Sequence, residues 1–298
     1  MEKRWMGWTT IAAIFFLSLT LAPVSAAAEK PVKLAYVEWS DAIASTHLVQ
    51  AVIQEKLGRD CDIVPMKADE MWAAVADGSA DAMVAAWLPS THGDYYEKVK
   101  DRIVDLGPNL EGTRIGLVVP AASEKVGSAG EDYIPIDKIP ELKGKSGLFN
   151  GRIVGIDPEA GIMQRTKEAM ETYGLENYEL TVGSEHTMAA ELSNAIRREK
   201  PVVVTGWRPH WMFALWKLRF LEDPEKIYGD EERINTIVRK GLKADMPTVY
   251  AFLDAFNWTP DDMARLMIRI QEEGGLFTYE KALQFMEDHP DLVASWLP

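Results

Sequence analysis

Three tryptophans stand where alternating strands and helices would bring them together. Trp39 follows the apolar run Leu34–Val37. Trp87 and Trp207 sit in the turns Trp87-Leu88-Pro89 and Trp207-Arg208-Pro209, after the runs Ala82–Ala86 and Val202–Thr205. An indole face carries the negative part of the ring quadrupole. Several such faces around one space suit a cation with no N–H to donate, at about 2 kcal/mol per well-desolvated face. A quaternary ammonium is that kind of cation. One tryptophan alone is usually packing; three at equivalent strand ends point to a cage. Trp72, Trp211, Trp216, Trp258 and Trp296 fall within or near helical patterns and are read as packing.

A zwitterion needs an anion site as well. Asp157-Pro158-Glu159-Ala160-Gly161-Ile162-Met163 reads as a loop that opens a helix after a strand. Glycine permits close backbone approach there, and free N–H groups at a helix start attract an anion. His92, five residues after Trp87, can donate a further hydrogen bond. Protonated at mildly acidic pH, it would hold or improve the binding of a carboxylate.

The elements that must carry these residues repeat. Strand Leu34–Val37, helix Ala42–Leu57, strand Cys61–Val64, helix Glu70–Ala76 and strand Ala82–Ala86 form one β-α-β-α-β unit. Strand Ile153–Ile156, helix Gly161–Tyr173, strand Tyr178–Val182, helix His186–Arg197 and strand Val202–Thr205 form a second. The spacing from Val37 to Trp87 is 50 residues, and from Ile156 to Trp207 it is 51. Such alternation makes parallel sheets covered by helices, with ligands at the carboxyl ends of the strands. Between the units lie the strand-like run Arg114–Pro120 and the polar stretches Ser123–Asp132 and Lys138–Gly147. Beyond them Arg233–Val238 is again strand-like, and these two runs are expected to be paired crossings between lobes. Helical patterns follow at Pro247–Phe256, Thr259–Glu273 and Tyr279–His289, the second with a Thr259 N-cap and Pro260 at the first helical position.

Lys3 and Arg4, the apolar run Ile11–Leu21 and the small residues Ala22–Ala28 read as an export signal cleaved after Ala26 or Ala28. The run falls short of the roughly 20 apolar residues of a membrane span. No cysteine stands at the cleavage site to carry a lipid, so a freely diffusing periplasmic protein is expected. The formal charge is −14, and removing Glu2, Lys3 and Arg4, which together carry +1, leaves −15. That balance argues against nucleic acid or anionic lipid as partners. Cys61, the single cysteine, allows no internal disulfide and reads as a buried thiol.

An enzyme is the rival class, and its signatures are missing. There is no Gly-x-Ser-x-Gly or His-Glu-x-x-His motif, and His47, His92, His186, His210 and His289 show no metal-ligand spacing. Gly183-Ser184-Glu185-His186 reads as the cap of the following helix. Neither a catalytic residue nor a metal or cofactor is expected. Among binders, an amino-acid receptor wants an aspartate for N–H groups; Asp41 keeps that reading, and a choline receptor, open.

Four segments carry a resemblance over essentially the whole chain from Val32 onward. Leu34–Asp41, Ala86–His92, Gly155–Met163 and Gly206–Met212 resemble the glycine-betaine-binding proteins of bacterial ABC importers. The resemblance implies an α/β, two-lobed periplasmic-binding-protein fold of type II. Each lobe is then a helix-covered, mainly parallel sheet, and the ligand cleft lies between them. It implies a signal peptide over 1–28, a first lobe over 29–115, a second over 116–235, and a return over 236–298 that places the last helices on the first lobe. It implies an ammonium cage of Trp39, Trp87 and Trp207 and carboxylate contacts from Gly161 N–H, Ile162 N–H and His92. The implied partners are a small zwitterion (glycine betaine, proline betaine or similar) and an inner-membrane ABC permease, served by a monomer. Receptors of the same fold for choline, carnitine, dimethylsulfoniopropionate or an amino acid are the alternatives. One departure is Glu159-Ala160, where the family pattern leads one to expect a small Gly-Ser pair; pointing inward, Glu159 would repel a ligand carboxylate.

Overall fold

A computed structural model describes residues 1–2, 30–121 and 134–298. The export segment, apart from Met1 and Glu2, and the Ser123–Asp132 stretch therefore lie outside the described residues. Pro31–Pro298 cluster as one unit and Met1–Lys30 as a second. All the described strands and helices belong to Pro31–Pro298.

The first repeat folds as β1 (Val32–Tyr36), α1 (Ser40–Glu55), β2 (Cys61–Pro65), α2 (Ala68–Asp77) and β3 (Ala82–Leu88), continued by α3 (Gly93–Val99) and the long β4 (Ile103–Pro120). The second folds as β5 (Arg152–Val154), α4 (Gly161–Thr172), β6 (Glu179–Thr181), α5 (Glu185–Arg197) and β7 (Val204–Arg208), followed by α6 (Met212–Leu215) and β8 (Leu218–Phe220). Then come β9 (Glu232–Arg239), α7 (Leu242–Asp245), α8 (Pro247–Ala255), α9 (Pro260–Glu272), α10 (Thr278–Asp288) and α11 (Pro290–Trp296). All seven residues of β3 are buried, as expected of an apolar run inside a sheet with both faces covered. Helix α9 shows its reasons locally. Thr259 Oγ1 accepts the N–H of Asp262, Asp262 accepts the N–H of Thr259, and Pro260 opens the helix. Met263, Leu266, Met267 and Ile270 recur at i, i+3, i+4 and i+7 and are buried.

The strands run in the order β2-β1-β3-β9-β4-β7-β5-β6, with β8 beside β4. Strands β2, β1 and β3 are mutually parallel, as are β6, β5 and β7; β9 and β4 run antiparallel to their neighbours. Each repeat thus forms a parallel half-sheet, and β4 belongs to both. Its first part pairs with β9 as far as Thr113, and its second part pairs with β7 from Arg114 onward. This corrects the expected pairing of the crossings. Arg233–Val238 lies beside the upstream part of β4, whereas Arg114–Pro120 lies beside β7 and β8. Gly107, Pro108 and Gly112, with three register shifts against β9, break the strand pattern of that upstream part in the sequence.

Helices α9 and α10 pack on α1, and α11 packs on α8 and α10. Phe256, Trp258, Phe285 and Trp296 form an edge-to-face and tilted aromatic cluster among them. Cys61 is buried, and burial pushes its thiol up to about 12. No helix among the described residues is long and apolar enough to cross a membrane.

Candidate functional site

The six residues expected to bind ligand line one cavity: Trp39, Trp87, Trp207, His92, Gly161 and Ile162. Trp39 is the N-cap of α1, just past β1; Trp87 and Trp207 lie near the carboxyl ends of β3 and β7. The two following proline bonds, Leu88–Pro89 and Arg208–Pro209, are both cis.

Each of the three indoles is tied down by its N–H edge. Trp39 donates to Asp157 Oδ2 at 3.0 Å, Trp87 to Asp41 Oδ2 at 3.0 Å, and Trp207 to Asp41 Oδ1 at 3.1 Å. With the polar edges bound to carboxylates, the faces are what remain for a ligand. A carboxylate on the N–H also polarises the ring toward a more negative face. Asp41, 1% exposed, spends both oxygens on two indoles from different half-sheets. An amino-acid receptor would need that carboxylate for a ligand's N–H groups. Burial, then the neighbouring Glu185, raises the Asp41 carboxyl to about 6; the Trp87 bond and His210 oppose the rise.

His92 is fully buried and held by the backbone of Trp87. Its backbone N–H donates to Trp87 O at 2.8 Å, and its Nδ1 accepts the Trp87 N–H at 3.1 Å. An accepting Nδ1 puts the proton on Nε2, which has no partner among the described residues. A buried donor thus stands unspent at the cavity. Burial lowers the His92 pKa to about 3, which corrects the expectation that mild acid would protonate it. Burial is the cause of that shift, with the rings of Trp39, Trp72 and Tyr95 around the imidazole.

Helix α4 begins at Gly161 with no side-chain cap on its N-terminus, so the Gly161 and Ile162 N–H groups are among the unsatisfied donors of its first turn. Only glycine fits at 161. A Cβ there would lie 1.9 Å from the carbonyl oxygen of Thr91 in the other half of the molecule. Glu159 does not line this cavity; it borders a neighbouring cleft with Glu38 and Asp157. Its carbonyl accepts the Tyr95 hydroxyl at 2.7 Å. The repulsion expected of its carboxylate is thereby avoided, and Ala160 is the neighbour that meets the cavity.

Glu185, His210 and Trp211 form a buried polar network that motif reading missed. Ser184 caps α5 as expected, with a reciprocal bond to Thr187. The next residue, Glu185, reaches across to Ser40, whose N–H donates to Oε2 at 2.8 Å and whose hydroxyl donates to Oε1. His210 Nδ1 accepts the Met212 N–H at 3.1 Å, so its Nε2 donates to Glu185 Oε1 at 3.0 Å. Trp211, expected to be packing, donates to Ser40 Oγ at 3.0 Å. Burial pushes the Glu185 carboxyl up, but its His210 and Ser40 partners outweigh burial and hold it below the ordinary value. The missed signal was positional: Glu185 and His210 follow the carboxyl ends of β6 and β7, the same edge that carries the tryptophans. Among the described residues, no group of His, Cys, Asp and Glu side chains could hold a metal ion.

Known proteins resemble this chain in sequence and in fold. Over 150 residues the chain is 44% identical to the glycine betaine/carnitine transport binding protein GbuC of Listeria monocytogenes serotype 1/2a (strain 10403S), a match spanning 50% of this chain and 49% of that one. The matched stretch is thus about half the length of that curated relative. A solved glycine betaine, L-proline-binding protein (ProX) from Borrelia burgdorferi superposes with a TM-score of 0.84 at 38% identity, covering 90% of this chain and 97% of that one. Lactococcal OpuAC, in its closed-liganded conformation with glycine betaine, gives a TM-score of 0.82 at 37% identity, covering 91% and 100%. Both structures belong to two-lobed binding proteins of type II. The family model for the substrate-binding domain of ABC-type glycine betaine transport systems (OpuAC) matches residues 30–288, most of the sequence, and the chain belongs to that family.

Proposed function

We propose that this chain captures a compact quaternary-ammonium zwitterion, glycine betaine first, and delivers it to an ABC permease in the inner membrane. The observation that carries the reading is His92 Nε2, a buried unpartnered donor in the same cavity as three indoles whose N–H edges are already bound. The faces of Trp39, Trp87 and Trp207 take the trimethylammonium group. His92, with the N–H groups of Gly161 and Ile162, takes the carboxylate.

Hydrogen bonds to a charged group contribute ~1.5–3 kcal/mol each, against ~0.5–1.5 kcal/mol for neutral pairs. A carboxylate is therefore preferred over the hydroxyl of choline. Carnitine and dimethylsulfoniopropionate share the two charges but are longer. The similarity to the glycine betaine, L-proline-binding protein of Borrelia burgdorferi and to lactococcal OpuAC complexed with glycine betaine supports the same reading.

The lobes are assigned as 29–115 and 116–235, with 236–298 returning to the first. The hand-over of β4 at Thr113/Arg114 and the packing of α9 and α10 on α1 support this division. Export to the periplasm, after removal of residues 1–28, rests on the basic start and the Ile11–Leu21 apolar run. Calorimetric titration with glycine betaine and with choline tests the ligand assignment. Clear binding of the betaine and weak or absent binding of choline is expected; equal affinities would reassign the chain as a choline receptor.

A further inference from the structure

Three consecutive residues at the start of α1 bond across the cleft, each to a different element. Trp39 donates to Asp157 before α4, Ser40 donates to Glu185 at the start of α5, and Asp41 accepts from Trp207 on β7. Trp39, Asp41 and Trp207 line the ligand cavity; Ser40 and Glu185 do not. One of the three bridges is therefore separate from the ligand.

That bridge has an unusual chemistry. Helix α1 has no cap of its own: its N-cap is Trp39, whose side chain makes no capping bond and offers no acceptor. The first N–H groups of a helix need acceptors and favour a negative charge. The acceptor for Ser40 N–H comes from a carboxylate 145 residues away in sequence, on the other half-sheet. Glu185 also takes the Ser40 hydroxyl, and that hydroxyl takes the Trp211 indole N–H. His210 steadies the carboxylate from its own side of the cleft. Opening the cleft would leave the Glu185–His210 pair intact on one lobe and return an uncapped helix start to water on the other.

We propose that Glu185 is a closure residue, a helix cap supplied in trans that sets the closed-state population and hence affinity without touching the ligand. Anything that binds only the closed state gains apparent affinity in proportion to the closed fraction. Glu185 thus scales the binding of every ligand by one factor and leaves their ranking alone. The choice of titrant rests on the betaine reading, whereas the latch itself is measurable without ligand.

The experiment has two arms. In the first, cysteines introduced at Leu276, in the loop after α9, and Lys200, in the loop after α5, both exposed, carry a dye pair; native Cys61 is buried and does not compete. Single-molecule energy transfer then reads the unliganded closed fraction in wild type, Glu185→Gln, Ser40→Ala and the double variant. A fall in that fraction in Glu185→Gln, and no further fall when Ser40→Ala is added, is expected. An unchanged fraction overturns the proposal, whatever the ligand is. In the second arm, calorimetry and stopped-flow titration with glycine betaine should show Glu185→Gln weakening binding about tenfold, the equivalent of ~1.4 kcal/mol. The loss should lie in the dissociation rate, and proline betaine should weaken by the same factor. A changed ranking of the two ligands would mean that Glu185 acts on the cavity and would overturn the closure assignment. Thermal unfolding of each unliganded variant separates a folding defect from an opened cleft. Should Glu185→Gln fail to fold, Ser40→Ala carries both arms alone, with a smaller shift of the same sign expected and no shift contradicting the latch. If neither betaine binds the wild type, the ligand reading fails, and the energy-transfer arm still decides the latch.

Discussion

Nδ1 of His92 accepts the backbone N–H of Trp87 at 3.1 Å, and that single bond fixes what the ring can offer the proposed anion site. It places the ring proton on Nε2, and full burial keeps the ring neutral, with its pKa lowered to about 3. His92 is thus a neutral donor of one hydrogen bond rather than a counter-ion.

His92→Ala should therefore weaken glycine betaine by ~1.5–3 kcal/mol, the range of a hydrogen bond to a charged acceptor. Residual choline binding should change little, because a hydroxyl has less to lose. Paired calorimetric titrations of both ligands on both proteins check this. Equal losses for the two ligands would remove His92 from the carboxylate site.

Acid should weaken betaine binding through Asp41. Its carboxyl, raised to about 6 by burial and by Glu185, lies at the cavity. A bound ammonium favours the charged carboxylate, so binding lowers this pKa and releases a proton, and affinity rises with pH through the window around 6. Between pH 7 and pH 5 the loss should be roughly tenfold for one group titrating at that value. His92, with its pKa near 3, stays neutral throughout. In the unliganded protein the sign reverses. The raised pKa favours the protonated carboxyl, so its contribution to stability is fullest below the ordinary value of 3.8 and is lost as pH rises through about 6. Betaine affinity that holds or improves from pH 7 to pH 5 would contradict this role for Asp41.

The cage tryptophans should not be equivalent. Alanine at 39, 87 or 207 removes a cation-binding face, and phenylalanine restores a face but not the N–H. Trp87→Phe and Trp207→Phe each leave one oxygen of buried Asp41 without its donor, whereas Trp39→Phe releases the half-buried Asp157. Trp39→Phe should therefore be the mildest of the three, and each phenylalanine variant milder than its alanine counterpart. Trp296, buried with its indole N–H on Asn257 O at 2.7 Å, serves as the control. Trp296→Ala should cost ~3–5 kcal/mol of stability and leave affinity nearly unchanged. Affinities and unfolding free energies for the set decide the pattern, and a phenylalanine variant as weak as its alanine partner would reduce that ring to packing.

Gly161→Ala should block closure. The added methyl would meet the Thr91 carbonyl oxygen at 1.9 Å, a backbone atom that cannot swing aside. Betaine binding should be lost while the unliganded unfolding temperature stays close to wild type. Small-angle scattering should show no compaction at saturating ligand, and a compact liganded particle would disprove the close approach.

The repeats were legible because strand and helix periods alternate cleanly in each, and the strand-end tryptophans followed from that alternation. What the sequence hid is long-range. Ile103–Thr113 carries two glycines and a proline within a strand, so the part of β4 that joins β9 has no strand signature. Asp41 was visible beside Trp39, but its two indole partners lie 46 and 166 residues away, and no spacing rule connects them. Glu185 read as an ordinary first-turn carboxylate of α5. Its partner Ser40 lies 145 residues away at the start of α1, and no local pattern connects the two. Side-chain tautomers were equally hidden: His92 looked titratable until its burial and its bond to Trp87 were known.

A crystal structure with bound glycine betaine tests the central claim most directly. The trimethylammonium group is predicted to lie against the faces of Trp39, Trp87 and Trp207. The ligand carboxylate is predicted within hydrogen-bond distance of His92 Nε2 and the N–H groups of Gly161 and Ile162. A carboxylate turned away from His92, or an ammonium group outside the three indoles, would contradict the account.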